Sequence, residues 1–429
     1  MHVCHRWRSV VFGSPRRLKL RLVCTSRTPA RDTLDAWPAL PLLIQFYGHH
    51  PIESVDNVIA VLEHSNRVHK IDLVHIASSD LEKVSAAMRM QGPFPDLTHL
   101  KLSSYDETVP VLPDSLLGGS APRLRNLYFR GIPFPGLPNL ILSATCLVTL
   151  RLYDIPHFGY FSPVAMVTAL SMLTSLRTLH LEFQSPQSHP DRESRRPPPP
   201  TCVVLPALRD FWFKGVIEYL DDLVARIDAP RLDNLDITFF NQIVFDTPQL
   251  IQFIGRTQML KALKKSHVIF DVGAATVKLS SPTSEHGEVK VKIPCIELDW
   301  QVSSLEQVCT SCLFPLSTLE DLYIYGDPKW KPDRQDNIEN SLWLDLLRPF
   351  TTVKNLYLSE DFTPRIVSAL HELVGGGTTE VLPTLEDIFL ERLKRWGPVD
   401  ESIQKFVVMR HHSSRPVAVS RWYRGRIGG

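Results

Sequence analysis

The sequence predicts an α/β fold in which short parallel strands, each followed by a helix, recur along most of the chain. Three observations predict it: a recurrent apolar triplet, prolines placed just before several triplets, and helix-start signals between them. The triplet reads L-x-x-L-x-L, with Ile, Val or Phe substituting. It occurs as Val68-Ile71-Leu73, Leu97-Leu100-Leu102, Leu124-Leu127-Phe129, Leu147-Leu150-Leu152 and Leu176-Leu179-Leu181. It continues as Leu208-Phe211-Phe213, Leu232-Leu235-Ile237, Ile293-Ile296-Leu298, Leu319-Leu322-Ile324, Val353-Leu356-Leu358 and Leu385-Ile388-Leu390. One gap, between Leu232 and Ile293, is about twice the usual interval and is expected to hide a degenerate repeat around Leu263 to Phe270.

Side chains alternate across a strand, so the last two apolar residues of each triplet share one face. The first, three positions earlier, closes the turn into that strand. Pro95, Pro122, Pro206, Pro230 and Pro383 each stand two residues before a triplet. A proline there lacks the N–H a sheet would need and holds the entry extended. Between strands, Ser162-Pro163 before Val164 to Leu173, and Thr363-Pro364 before Arg365 to Val374, read as an N-cap with proline in the first turn. Gly375-Gly376-Gly377 ends the second of these helices. Further amphipathic stretches run over Asp80 to Met90, Ile217 to Ile227, Ser303 to Cys312 and Ile338 to Leu347. The polar, proline-rich stretch from Gln184 to Thr201 cannot pack a core and is expected to be a disordered insertion. Ser280 to Glu288 is expected to be a hairpin tip between Val277-Leu279 and Val289-Ile293.

The triplet and its period resemble the leucine-rich-repeat family. That resemblance implies a solenoid over residues 17–395, with the parallel sheet on the concave side and the helices on the convex side. Regular members place Asn or Cys three residues after the last strand Leu. Here those positions hold Tyr105, Ile132, Ile155, Gln184, Val216 and Phe240, so an irregular array is expected. Residues 396–429 are expected to form a C-terminal helix and a basic tail.

Val3-Cys4-His5-Arg6-Trp7-Arg8-Ser9-Val10-Val11-Phe12-Gly13-Ser14-Pro15 reads as a short helix with Trp and apolar positions on one side. It resembles the last helix of an F-box, whose usual ending is V-C-[KR]-x-W before an apolar stretch and S-P. Arg17 to Val23 alternates like the first strand after that motif, and the whole layout is similar to F-box/leucine-rich-repeat-like proteins of fungal type. The F-box likeness covers residues 1–16 alone, without the opening L-P-x-E segment, so a truncated F-box remnant is expected. The resemblance implies docking of Val3, Cys4, Trp7, Val10, Val11 and Phe12 on the Skp-type adaptor of a cullin–RING ubiquitin ligase. The repeats would then present a protein target. Two alternatives stand beside it: an amphipathic cap on a repeat scaffold with no ubiquitin link, and an enzyme with a loop-borne site.

The composition is that of an ordinary globular chain: 429 residues, 44% hydrophobic and 22% charged, with a net charge of +1. Bulk charge therefore selects no nucleic-acid or membrane partner. The ends are basic, with no acid before Asp32 or after Arg410. Seven cysteines without framework spacing, no N-glycosylation sequon, and no apolar run long enough to span a bilayer point to the cytoplasm or nucleus.

On the expected strands, the residues alternating with the buried leucines form the candidate partner-binding face. In the first half these are Lys101, Tyr128, Arg130, Arg151, Tyr153, Trp212 and Lys214. In the second half they are Asp236, Asp299, Tyr323, Tyr325, Tyr357 and Phe389. Aromatic residues and Arg are frequent interface anchors, and a basic first half beside an acidic second half would steer a partner of opposite polarity. No catalytic residue, metal set or cofactor is expected. Cys309-Thr-Ser-Cys312 is a lone C-x-x-C, and no H-E-x-x-H, G-x-S-x-G, P-loop or G-x-G-x-x-G motif occurs.

Overall fold

The structure is a computed structural model that describes residues 5–6, 21–36, 40–48, 55–106, 108–186, 202–240, 245–281, 287–311, 316, 318–327, 338–372, 381–391 and 398–423. The chain folds as two compact units: residues 1–208 with 226–229, and residues 209–225 with 230–429. The expected docking residues Val3, Cys4, Trp7, Val10, Val11 and Phe12 lie outside the described residues, as do most of the insertion at 184–201 and Gly375 to Gly377.

In the first unit seven strands follow one another in chain order. They are β1 (Leu22–Thr25), β2 (Leu42–Tyr47), β3 (Val68–Val74), β4 (His99–Ser103), β5 (Asn126–Arg130), β6 (Thr149–Ile155) and β7 (Thr178–Phe183). Every neighbouring pair is parallel. A short parallel pair, β8 (Val203–Val204) and β10 (Ile227–Asp228), completes the unit. Helices connect several of the strands, among them Ser78–Met90, Leu137–Ser143 and Pro163–Leu170. Ser162 caps the last of these as its sequence suggested: its hydroxyl accepts from the Ala165 N–H at 3.2 Å.

The second unit holds β9 (Asp210–Gly215), β11 (Asn234–Phe239), β12 (Lys265–Asp271), β13 (Ala274–Ser280), β14 (Glu288–Pro294), β15 (Asp321–Gly326), β16 (Asn355–Leu358), β17 (Asp387–Leu390) and β18 (Ala418–Arg421). Their order across the sheet is β9-β11-β14-β13-β12-β15-β16-β17-β18. The hairpin expected between Val277-Leu279 and Val289-Ile293 is present as antiparallel β13 and β14. The expectation of a parallel sheet elsewhere is corrected at β12, which also pairs antiparallel with β13. A three-stranded meander is thus inserted into a parallel array, and it accounts for the doubled interval after Leu232. Its first strand takes one repeat position, with Ser266 opposite Leu322 and Val268 opposite Ile324. Its last strand takes another, with Val289 and Val291 opposite Leu235 and Ile237.

The triplet Ile293-Ile296-Leu298 is likewise corrected. Ile293 belongs to the end of β14, Ile296 is 77% exposed, and Leu298 opens the helix Leu298–Ser311. Pro294 ends the strand because it has no N–H to extend the ladder. Leu, Ile and Val recur at repeat spacing on both sides of this boundary, so the apolar pattern alone misplaces it.

The first apolar residue of each repeat closes a tight turn. The N–H groups of Leu124, Leu147, Leu176 and Leu385 each donate to the carbonyl three residues earlier, at 3.0 to 3.2 Å. The next residue ties its repeat to the one before it. Thr98 N–H donates to His69 O, Arg125 to Thr98 O, Val148 to Arg125 O and Arg177 to Val148 O, all at 2.8 to 2.9 Å. The same ladder runs in the second unit from Lys264 through Glu320, Lys354 and Glu386 to Ala418. Main-chain bonds therefore join successive turns.

The paired strand apolars are almost fully buried, from Leu100 and Leu102 at 1% exposure to Leu356 and Leu358 at 0%. Each such side chain contributes roughly 1.5–3 kcal/mol relative to exposure. Helices pack side by side over this face, Leu298–Ser311 against Asn340–Leu347 and Asn340–Leu347 against Thr363–Glu372. Among the described residues, no helix is long and apolar enough to cross a membrane.

Candidate functional site

The faces opposite the packed helices carry the candidate site, and strand register decides which side chains meet there. In the second unit His267, Tyr323, Tyr357 and Phe389 occupy one register row across β12, β15, β16 and β17. Strands about 4.8 Å apart hold rings in such a row at stacking distance. The centroid separations are 4.5, 4.1 and 4.4 Å, with the planes within 10° of parallel. Trp422, just past β18, meets this ladder edge-on at Tyr357 and Tyr323, 5.5 and 5.9 Å between centroids. Its indole N–H donates to Leu358 O at 3.2 Å, which fixes the ring's orientation.

Asp321, Asn355 and Asp387 form the neighbouring row, and the Asn355 amide donates to Asp321 at 2.7 Å. Burial pushes the Tyr323 hydroxyl well above the usual tyrosine range, with Tyr357 and Asp321 adding to the shift. Burial raises Tyr357 as well, helped by Asp321 and Asp387. Both phenols stay protonated at neutral pH and can donate or accept hydrogen bonds. Tyr325 is one pleat further along β15, is 5% exposed, and brings its hydroxyl to 3.4 Å from His267 Nδ1. On the far side of the meander, Trp212 pairs in register with Asp236 and Lys214 with Thr238. Lys290 reaches Asp236 at 2.9 Å, and Lys278 reaches Glu288 at 2.6 Å.

In the first unit the central row is Asp72, Lys101, Tyr128, Arg151 and His180. Asp72 is 6% exposed and lies between two lysines, 3.2 Å from Lys70 and 3.8 Å from Lys101. The Lys101 ammonium stands 5.1 Å from the Tyr128 ring centroid, and Tyr128 lies 5.1 Å from Tyr153. Tyr153 in turn meets His180 at 4.0 Å. Arg130 is held by Asp154 at 2.9 Å and covers the Tyr105 ring at 5.1 Å. Arg151 is exposed and makes no ion pair among the described residues. Burial raises the Tyr128 and Tyr153 hydroxyls, so they too remain neutral donors.

The structure therefore brings together Lys101, Tyr128, Arg130, Arg151 and Tyr153 in one unit. In the other it gathers Tyr323, Tyr325, Tyr357 and Phe389, with Trp212, Lys214 and Asp236 on the adjoining strands. Asp299 was expected on this face and is corrected. It sits in the first turn of the helix Leu298–Ser311, exposed, where a carboxylate favours the helix N-terminus. Sequence reasoning missed His267, Trp422, Lys278 and Lys290. His267 was findable, because Lys265 to Phe270 alternates with period two and places Val268 and Phe270 on the buried face. Lys278 and Lys290 lie on the two strands of the expected hairpin and were missed because the pairing of β12 with β13, which carries that hairpin into the open face, was not expected.

Metal ligands and thiols are two kinds of reactive group that can be placed among the described residues. No group of three or more His, Cys, Asp or Glu could hold a metal ion among them. Burial raises the Cys24 and Cys295 thiols, opposing thiolate formation. Cys309 is buried in its helix, and Cys312 lies outside the described residues.

No protein-family model matches the chain, and no curated protein matches it. Among solved structures, the leucine-rich-repeat-containing protein LegL7 from Legionella pneumophila is similar at 11% sequence identity and a TM-score of 0.29, over 90% of this chain and 97% of that one. A likeness this loose establishes neither fold nor function.

Proposed function

We propose that the chain is a protein-binding scaffold of leucine-rich-repeat type, without catalytic chemistry of its own, whose open strand faces dock a partner. The observation that supports this is the ring ladder His267-Tyr323-Tyr357-Phe389 with Trp422 against it. The core is already filled from the other face, by residues such as Leu322, Leu356 and Ile388, so folding does not require aromatics here. Half-exposed Tyr, Phe and Trp beside a row of carboxylates offer contact area at little entropic cost, the usual make-up of an interface centre. The experiment is site-specific photo-crosslinking in cells, with a photoreactive phenylalanine analogue at Phe389 and, separately, at Trp300 on the exposed surface of the helix Leu298–Ser311. A discrete protein adduct from position 389 and none from 300 is expected. Adducts from 300 alone, or from neither, would reject the reading.

A second reading adds a ubiquitin-ligase role, with this chain as the target-recognition subunit. It rests on the Val3-Cys4…Trp7…Val10-Val11-Phe12 pattern alone. Its test is capture of the Skp-type adaptor by the chain and by a Trp7→Ala variant. Capture lost in the variant supports the role, and absence of capture by both removes it.

A further inference from the structure

We propose that the open face of the first unit is a docking site for an acidic peptide segment of the partner, with carboxylates spaced about three residues apart along an extended chain. The assignment rests on the scaffold reading and gives that partner a chemistry. It begins with the charges that register gathers on β3 to β6. Lys70 and Lys101 share the single carboxylate of Asp72, which is almost wholly buried between them. Arg130 is neutralised by Asp154. Arg125 and Arg151 are exposed and make no ion pair among the described residues. The field of this cluster is felt at His99 between Lys70 and Asn126: besides burial, the charges of Lys70, Arg21 and Arg125 all depress its protonation. The patch is thus an unsatisfied cationic surface on a chain whose net charge is only +1.

Geometry narrows the ligand. Lys101 and Arg151 lie on strands two apart, about 10 Å across the sheet. An extended peptide in the polyproline II conformation has about three residues per turn and rises about 3.1 Å per residue, so acidic side chains three apart share one face about 9 Å apart and would meet both cations. Single-stranded nucleic acid fits less well, because it needs free ring faces for base stacking. Here Lys101 and Tyr153 flank Tyr128, His180 and Tyr128 flank Tyr153, and Tyr105 lies between His75 and Arg130. What remains for a ligand is guanidinium and ammonium groups, tyrosine hydroxyls and ring edges. That set suits carboxylates on a peptide.

The test is fluorescence anisotropy with the full chain and a labelled twelve-residue Gly/Ser peptide carrying Glu at every third position. A peptide with Gln in place of Glu and a twelve-nucleotide oligothymidylate serve as the other probes. The Glu peptide should bind, its affinity falling steeply with salt, while the Gln peptide does not. Arg151→Glu should weaken binding about tenfold or more. Lys292→Glu, the same change of net charge on β14 of the second unit, should leave it unchanged. Circular dichroism checks that both variants fold. Equal binding of Glu and Gln peptides, tighter binding of the oligonucleotide, or equal loss in both variants would overturn the assignment. Loss of peptide binding with the Phe389 crosslink retained removes the acidic-ligand assignment and leaves the scaffold reading standing. Peptide binding without that crosslink supports the assignment while the scaffold reading fails.

Discussion

Ser266 offers a quantitative check on the repeat reading. It stands where the repeat places its middle leucine: register sets it opposite Leu322 and Leu279, and it is 0% exposed. Its hydroxyl makes no hydrogen bond among the described residues. An unpaired buried hydroxyl costs about 1–3 kcal/mol of desolvation. Ser266→Ala removes the oxygen and keeps the Cβ, leaving a void smaller than a methyl group, so it gives back a little in lost contact. The net expectation is stabilisation by about 1 kcal/mol. Urea denaturation followed by far-ultraviolet dichroism and tryptophan fluorescence measures it. With a slope of about 3 kcal/mol per molar for a chain of this size, the midpoint should rise by about 0.3 M at unchanged slope. A midpoint that falls by a similar amount would refute the reasoning, because it would mean the hydroxyl is satisfied and β12 is built around it.

Four other outcomes follow from the same geometry. Gly131→Ala should destabilise the first unit by about 2 kcal/mol, because the backbone there has φ +66° and an added Cβ would sit 2.6 Å from Ser104 O; a thermal melt reads it. Gln301→Ala should cost about 1–2 kcal/mol in urea, since its buried amide donates to Cys295 O at 2.7 Å and Asp271 O at 3.0 Å, while removing its Oε1, buried without a partner, gives part of that back. Ultraviolet titration should show tyrosines ionising above the usual range, with the upward group reduced in Tyr323→Phe. These phenols are neutral in the fold and ionise more readily when unfolded, so stability should decline as pH rises past about 10. His99 titrates below the usual histidine range through burial, then Lys70, Arg21 and Arg125, so its contribution to stability should diminish as pH falls below about 6.5. Nuclear magnetic resonance of its ring should show the midpoint move upward when the Glu peptide binds.

How far the sequence could be read depended on what each residue was doing. Ten of the triplets name strands in the structure because their signal, three apolar residues at fixed spacing, is the same signal that buries them: Leu97, Leu100 and Leu102 lie within 1% of full burial. The turn-closing and turn-to-turn bonds are made by main-chain groups, which any residue supplies. In the first unit that ladder passes through Thr98, Arg125, Val148 and Arg177, residues with no chemistry in common. The meander was legible only in part: the hairpin of β13 and β14 was expected, while the antiparallel pairing of β12 with β13 was not. Val277, Leu279, Val289 and Val291 alternate identically whether a strand runs up or down the sheet, since period two carries no direction. Only the short connections around Val272-Gly273 and Gly287 distinguish a hairpin from a helical crossover there. Direction then decides the open face. Reversing β13 brings Lys278 beside Lys290 in the middle of the second unit, between Asp236 and the ring ladder. A face expected to be uniformly acidic there is instead banded, and a partner chosen by simple opposite polarity would be misjudged. In the first unit β1 to β7 all run one way, so the residues that alternate in sequence are the ones that meet across the sheet, and the cations of the acidic-peptide site lie together there.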